Sequence, residues 1–291
     1  MSFLESLAET QELVSLPTVA TKVLSLLEKD NADVREISKL VESDASMSLK
    51  ILRLANSPMF ALRTEVASIN QAILTVGLNR VTNIVLGVSI FSKFIYLSRS
   101  SAAKYVDSFW KHSAATASVA KTLAVRLKKN FQDAEFLGGL IHDIGKLAML
   151  QHDANKFVEM MTLIENGTHD DLAAEAQVYG ATHTQAGEVI VRLWKMPQTL
   201  QSIVCYHDNP GAAGDAKAVT SLIRVADLLC EKWGAGIGEN VADIDIKNDT
   251  AWKNLCSLYP DVAAMDFDAL AAELETEFSQ ASSALQAMLA D

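Results

Sequence analysis

Apolar side chains recur every three to four residues along most of this chain, and this spacing is typical of amphipathic helices. Val19, Val23 and Leu26, for example, follow Pro17 at this interval. Only 5 Pro and 13 Gly interrupt the pattern in 291 residues, which favours helices over an architecture of strands and turns. We therefore predict an all-α protein. Its core would draw on the 49% of residues that are apolar, because aromatic residues make up only 7%.

The helical segments divide the chain into three predicted parts. Residues 1–100 would form an N-terminal lobe of short helices, including helices near 68–76 and 79–95. Residues 101–235 would form a second helical core, and residues 236–291 an acidic helical extension at the C-terminus. No fixed period of internal similarity is present, so a packed helical bundle is favoured over a repeat array.

The net charge of −11 is concentrated near the C-terminus, where residues 201–291 carry 5 Lys and Arg against 15 Asp and Glu. Since no basic face is present for phosphates, direct binding to nucleic acid or to an anionic membrane is not expected. No apolar run reaches the roughly 18–20 residues that cross a bilayer, and the acidic N-terminus lacks the basic region of a signal peptide. We expect a cytoplasmic protein.

Three cysteines, Cys205, Cys230 and Cys256, are widely spaced and include no C-x-x-C pair. This arrangement argues against a disulfide framework and against a thiolate zinc site. Cys205 lies two residues before His207, which raises the alternative of a nucleophilic cysteine. The apolar neighbours of Cys205 favour an inert thiol instead.

The segment GLIHDIGKLAML, residues 139–150, has the spacing of one buried helix, yet it contains His142, Asp143 and Lys146. Burying an unpaired charge is costly, so these side chains require partners. Further ionisable residues lie in other apolar segments of the second helical part: His112, His183, His207 and Asp227.

Each of these residues alone would more often be a hydrogen-bonded structural residue than a ligand. Taken together, imidazole nitrogens and carboxylate oxygens suit a divalent first-row metal ion such as Fe, Mn, Ni or Zn. Such an ion would also compensate the buried charges of Asp143 and Asp227. The alternative is a relic site without metal, in which Lys146 pairs with an acid.

The chain resembles the HD superfamily of metal-dependent phosphohydrolases in the order of these residues: His112, His142-Asp143, His183, His207, Asp227. HDIGK at 142–146 is similar to the form seen in the signalling branch of that superfamily, the HD-GYP phosphodiesterases. The N-terminal part resembles the HDOD family, the HD-related output domain, in three segments: LPTVATKVLSLL, VESDASMSLKILRLANSPMF and SINQAILTVGLNRVTNIVLG.

The resemblance implies an all-helical fold in which an N-terminal lobe packs on an HD-type core. It also implies metal ligands at the matching positions: His112, His142, Asp143, His183, His207 and Asp227. One or two divalent ions would be held there, and Asp143 would bridge them if there are two. Lys146 matches the lysine that contacts substrate phosphate in HD-GYP enzymes.

The chain departs from the HD-GYP pattern at Tyr206-His207-Asp208, where those enzymes have His-His-Glu followed by Gly-Tyr-Pro. This departure argues against a full two-metal centre and against cyclic-dinucleotide hydrolysis. HDOD proteins mostly act as regulatory modules, so we expect a signalling protein that acts through contacts with a protein partner. The alternative is a metal-dependent phosphohydrolase that acts on a phosphoester or nucleotide, with Asp143 and Lys146 as its catalytic residues.

Overall fold

A computed structural model describes residues 2–10, 16–27, 34–56, 62, 64–94, 97, 102–238, 244–276 and 278. Within these residues the chain consists of helices and the turns that join them, without a β-strand. The predicted all-α fold is therefore confirmed. None of the helices in the described parts is long and apolar enough to cross a membrane.

The described N-terminal part contains α1 (Phe3–Glu9), α2 (Thr18–Leu27), α3 (Val34–Glu42), α4 (Ala45–Ala55), α5 (Ile69–Val76) and α6 (Leu78–Phe94). The side chains of Asp44 and Ser68 accept hydrogen bonds from backbone N–H groups in the first turns of α4 and α5, which satisfies donors that a helix start leaves free. Gly77 separates α5 from α6 with a φ of +102°, a conformation that favours glycine. The helices predicted near 68–76 and 79–95 are thus found within one residue.

The second part contains α7 (Ala103–Arg126), α8 (Ala134–Ile141), α9 (Ile144–His152), α10 (Ala154–Glu165), α11 (Asp171–Tyr179), α12 (His183–Leu193), α13 (Gln198–Tyr206) and α14 (Lys217–Lys232). The 24-residue helix α7 packs against α8 and α14, and α12 packs against α9 and α13. Ala114, Ala117 and Ala120 of α7 are fully buried, and their small side chains allow neighbouring helices to come close.

The N-terminal helices pack on this second part, as the resemblance implies. Helix α6 contacts α8. Beside this contact, Arg80 Nε donates a hydrogen bond to Asp133 Oδ1 at 2.9 Å, and Asn83 Nδ2 donates one to the Asp133 carbonyl oxygen at 3.0 Å. Helix α1 packs against α12. The division of the chain at residues 100 and 235 stays a prediction.

The C-terminal part contains α15 (Thr250–Leu258), α16 (Pro260–Ala263) and a helix over 267–276, which we label α17. Helix α15 packs against α14. Phe267, Leu270 and Leu274 of α17 are buried, and the ring centroids of Trp252 and Phe267 are 4.7 Å apart. The acidic extension is therefore docked on the helical core as far as it is described.

The chain turns at His142 and Asp143, where the sequence pattern predicts one helix through residues 139–150. Helix α8 ends before these two residues and α9 begins after them. The prediction of a continuous helix is therefore wrong. The apolar pattern could not reveal the turn, because every residue in 135–150 is buried. A helix that is buried all round has no polar face whose interruption would reveal a change of direction.

Two glycines let the helices around this turn approach closely. A Cβ atom at Gly145 would overlap the backbone carbonyl oxygen of His183, and a Cβ atom at Gly139 would lie 2.7 Å from Cα of Ala117. Interiors packed this tightly cannot absorb an added methyl group without movement of the backbone. Glycine at these positions therefore sets the α9–α12 and α7–α8 distances, and with them the positions of nearby imidazole rings.

Candidate metal centre

The structure brings all six predicted metal ligands together in the interior. They are at most 3% exposed and come from five segments: His112 from α7, His142 and Asp143 from the turn after α8, His183 from the start of α12, His207 from the residue after α13, and Asp227 from α14. Burying this many ionisable groups is costly unless they share protons or a cation.

The first group of donor atoms is built around His112 and His142. Their Nε2 atoms are 3.2 Å apart. Asp227 Oδ1 lies 3.1 Å from Nε2 of His112 and 3.6 Å from Nε2 of His142. Asp143 Oδ2 lies 3.9 Å and 3.8 Å from the same two nitrogens. Two nitrogens and two oxygens therefore face one another.

The second group is built around His183 and His207, whose Nε2 atoms are 3.1 Å apart. Asp143 Oδ1 lies 3.2 Å and 3.3 Å from these nitrogens. Asp208 Oδ2 lies 3.3 Å and 3.8 Å from them. Asp143 thus gives one oxygen to each group, and each group has two imidazoles and a terminal carboxylate of its own.

The hydrogen bond made by Nδ1 of each ring determines which ring nitrogen carries the hydrogen. Nδ1 of His112 and Nδ1 of His142 each lie 2.9 Å from a backbone carbonyl oxygen, and Nδ1 of His207 lies 3.2 Å from another. Nδ1 of His183 lies 2.8 Å from a carboxylate oxygen of Glu175. Because these oxygens accept hydrogen bonds, Nδ1 donates in each ring, and Nε2 faces the cluster, where its lone pair would bind a metal ion after the loss of any proton it holds.

These donor groups fit first-row metal ions. Two imidazole nitrogens that bind one ion at about 2.1 Å lie roughly 3.0–3.4 Å apart, which matches the spacing in both groups. Asp208 Oδ2 and Asp227 Oδ1 are buried and, apart from the facing imidazoles, have no hydrogen-bond donor among the described residues. A metal ion would satisfy both oxygens. Mixed imidazole and carboxylate donors suit Fe, Mn, Ni or Zn.

The charges of the cluster also favour binding of cations. Burial opposes a charge on His112, but Asp227 and Asp143 outweigh it and raise the pKa of His112 to about 9. Burial likewise opposes a charge on His183, but Glu175 and Asp143 raise its pKa well above its usual value. Each donor group of the metal-free protein therefore holds a proton that a metal ion would displace.

Lys146, the predicted phosphate contact, is 4% exposed. Its Nζ lies 3.1 Å from Asp143 Oδ2 and 3.5 Å from Asp171 Oδ2. Burial alone would raise the pKa of Asp143, but Lys146 and His142 hold it well below its usual range. The structure thus places Lys146 directly on the carboxylate that both donor groups share.

Three residues of the site are absent from the sequence-based set. Asp208 completes the second donor group, and its position directly after His207 was the available signal. Glu175 accepts the ring N–H of His183, and Arg224 pairs with Asp208 and with a second carboxylate. Glu175 and Arg224 carry no motif, since their roles depend on packing between helices. Tyr206, at the place of the missing histidine, is 38% exposed.

Cys205 contributes to neither donor group. Burial raises the pKa of its thiol to about 11, so the thiol stays protonated at neutral pH and is a weak nucleophile. The geometry therefore gives no support to the alternative of a nucleophilic cysteine.

The described residues thus form an all-helical core with a cluster of His and Asp side chains in its interior. Residues 13–210 match the model of the HDOD domain, which is more than half of the chain. The chain belongs to the HDOD domain family.

Several solved structures share this fold. An HDOD domain protein of unknown function from Geobacter sulfurreducens is 21% identical with a TM-score of 0.78, covering 94% of this chain and 92% of its own. A Shewanella amazonensis SB2B protein, proposed to be a phosphohydrolase, is 20% identical with a TM-score of 0.74, and the match covers 99% of this chain and 98% of that protein. A Marinobacter aquaeolei VT8 protein, proposed to act in signal transduction, is 22% identical with a TM-score of 0.73, and the match covers 95% of this chain and 60% of that protein.

A sequence relative is also known, an uncharacterized protein of Treponema pallidum (strain Nichols). The two are 19% identical over 219 residues, which make up 75% of this chain. The match spans 42% of the length of that relative.

Proposed function

We propose that this chain is a regulatory HDOD protein whose His/Asp cluster holds two divalent metal ions and whose output is contact with a protein partner. The proposal rests on the burial of the cluster. The predicted ligands are at most 3% exposed, and Lys146 already pairs with Asp143 and Asp171. A substrate phosphate would need access to the ions and to a cation, so this arrangement suits a structural or signalling role better than turnover.

Two bound ions would connect five segments that lie far apart in the chain. These are α7, the turn between α8 and α9, the start of α12, the end of α13, and α14. Because the ligands have to lose protons and assemble together, metal binding is coupled to the stability of the fold. Gain, loss or exchange of an ion would change the packing of all five segments at once, and a partner protein can sense such a change at the surface.

A metal-dependent phosphohydrolase is the second candidate, and the rim of the cluster favours it. The side chains of Asp171, Asp208 and Arg224 are 25%, 16% and 22% exposed, so the cluster approaches the surface on this side. A bound divalent ion would polarise a phosphoryl oxygen and lower the pKa of an attacking water. Lys146 would offset phosphate charge, once its contact with Asp171 is released.

Hydrolysis assays on metal-loaded protein separate the two candidates. The substrates are nucleotides, cyclic dinucleotides and aryl phosphates, and the variants are His142→Ala and, as a matched control outside the cluster, His169→Ala. We expect no turnover by any of these proteins while metal stays bound to the wild type and to the control. Saturable turnover by the wild type and His169→Ala that disappears in His142→Ala would overturn the regulatory proposal in favour of the hydrolase.

A further inference from the structure

Arg224 contacts the terminal carboxylates of both donor groups through a single nitrogen atom. Its Nη1 lies 2.9 Å from Oδ1 of Asp208 and 2.8 Å from Oδ2 of Asp227. Asp208 belongs to the second donor group and Asp227 to the first. The guanidinium group therefore joins the two groups without belonging to either.

In each carboxylate the oxygen that faces the imidazoles is not the oxygen that Arg224 contacts. Asp227 directs Oδ1 to Nε2 of His112 at 3.1 Å, and Asp208 directs Oδ2 to Nε2 of His183 at 3.3 Å. Both of these oxygens are buried and have no other hydrogen-bond donor among the described residues. In both carboxylates, therefore, one oxygen contacts Arg224 and the other faces the imidazoles.

We propose that Arg224 is a positioning residue of the metal centre. By fixing one oxygen of Asp208 and one of Asp227, it presents the other oxygen of each to a separate metal ion and so couples the two metal subsites. The same geometry assigns Asp208 as the terminal carboxylate ligand of the second subsite. The inference rests on the proposed two-metal centre and adds a residue that is not itself a ligand.

Charge alone predicts the opposite effect of removing Arg224. A guanidinium beside two metal ions repels them, and like charges a few ångströms apart interact strongly inside a protein. If Arg224 acted only as a charge, its removal would strengthen metal binding. If it positions two ligands, its removal weakens binding even though the repulsion is relieved, since groups that orient metal ligands typically contribute about 10- to 100-fold in affinity.

The test is titration of metal-stripped, full-length protein with Co²⁺, followed by its visible absorption and by equilibrium dialysis. The variants are Arg224→Gln, Arg224→Lys and Asp208→Asn, with Arg192→Gln on α12 as a matched control because Arg192 is exposed and pairs with Glu188 of the same helix. Arg224→Lys keeps the charge, but its ammonium is a point charge on a flexible stem, whereas Nη1 of Arg224 is held in a rigid plane between the two carboxylates. This variant therefore separates the effect of ligand positioning from the effect of charge. If Arg224→Gln does not fold, the test rests on Arg224→Lys.

We expect two equivalents of Co²⁺ in the wild type and in Arg192→Gln. We expect both affinities to fall by about 10- to 100-fold in Arg224→Lys and Arg224→Gln, and one equivalent to be lost in Asp208→Asn. Wild-type affinity in Arg224→Lys, tighter binding in Arg224→Gln, or weakening of one subsite alone would overturn the inference while leaving the metal centre intact. Absence of Co²⁺ binding in the wild type would overturn the metal centre itself.

Discussion

Glu175 is fully buried on α11, and both of its carboxylate oxygens accept hydrogen bonds from His183. The backbone N–H of His183 lies 2.7 Å from Oε2, and the ring Nδ1 lies 2.8 Å from Oε1. The other three rings of the cluster donate Nδ1 to backbone carbonyl oxygens. At the scale of single residues, His183 is therefore the ring whose tautomer depends on a side chain.

Glu175→Gln tests this dependence. The amide nitrogen of glutamine must face one of the two N–H donors, so a buried hydrogen bond is lost. We expect the free energy of unfolding of the metal-free protein to fall by about 1–3 kcal/mol in urea denaturation, and Co²⁺ affinity to fall by about 10- to 100-fold. Glu188→Gln, at a half-buried position of α12 outside both donor groups, should leave both values unchanged. Wild-type Co²⁺ affinity in Glu175→Gln would contradict the role given to its carboxylate.

At the scale of helices, the sequence predicts which segments become helices more accurately than it predicts where the chain turns between them. The order of histidines and aspartates could be recognised because each ligand lies in a short local pattern, and the structure does bring these residues together. The turn at His142 and Asp143 was not predictable from apolar spacing, since residues 135–150 are buried on every side. Glu175 and Arg224 were missed because packing between helices supplies their partners: His183 at the start of α12 for Glu175, and Asp208 after α13 for Arg224.

Gly145→Ala tests the close contact between α9 and α12. The added methyl group overlaps the backbone of His183, so the two helices have to separate and the imidazole moves with them. We expect a loss of about 1–3 kcal/mol in unfolding free energy and weaker metal binding. Gly211→Ala is the matched control, because its Cβ would meet only Asn209 Oδ1 at 3.7 Å. Equal stability of the two variants would show that the α9–α12 distance does not depend on glycine.

At the scale of the whole molecule, the packing of the N-terminal helices on the core followed from the family resemblance, not from helical periodicity. Periodicity identifies an apolar face but does not say which partner covers it. Helix α1 illustrates this limit, because it packs against α12, nearly two hundred residues away in sequence. Contacts of this kind contribute to the stability of the fold as a unit, and the proposed metal centre includes His183 of α12, one of the helices that make them.

Metal binding should therefore be coupled to global stability and to pH. Free metal at 100 times the dissociation constant of a site stabilises the fold by about 2.7 kcal/mol, so a chelator should lower the melting temperature. His112 has a pKa of about 9 in the metal-free protein, so at pH 6–8 its proton competes with the ion. We expect Co²⁺ affinity to rise as the pH is raised from 6 to 8. An affinity that is constant over this range would contradict competition at His112.

The most direct test of the account is elemental analysis of untagged protein purified without chelator. Asp143 supplies an oxygen to each donor group, so the decisive comparison is wild type against Asp143→Ala, with His169→Ala as the control. We predict two equivalents of Fe, Mn, Ni or Zn in the wild type and in the control, and loss of both in Asp143→Ala. Absence of metal from the wild type, also after reconstitution with each ion, would contradict the two-metal centre and leave the cluster as a proton-sharing remnant.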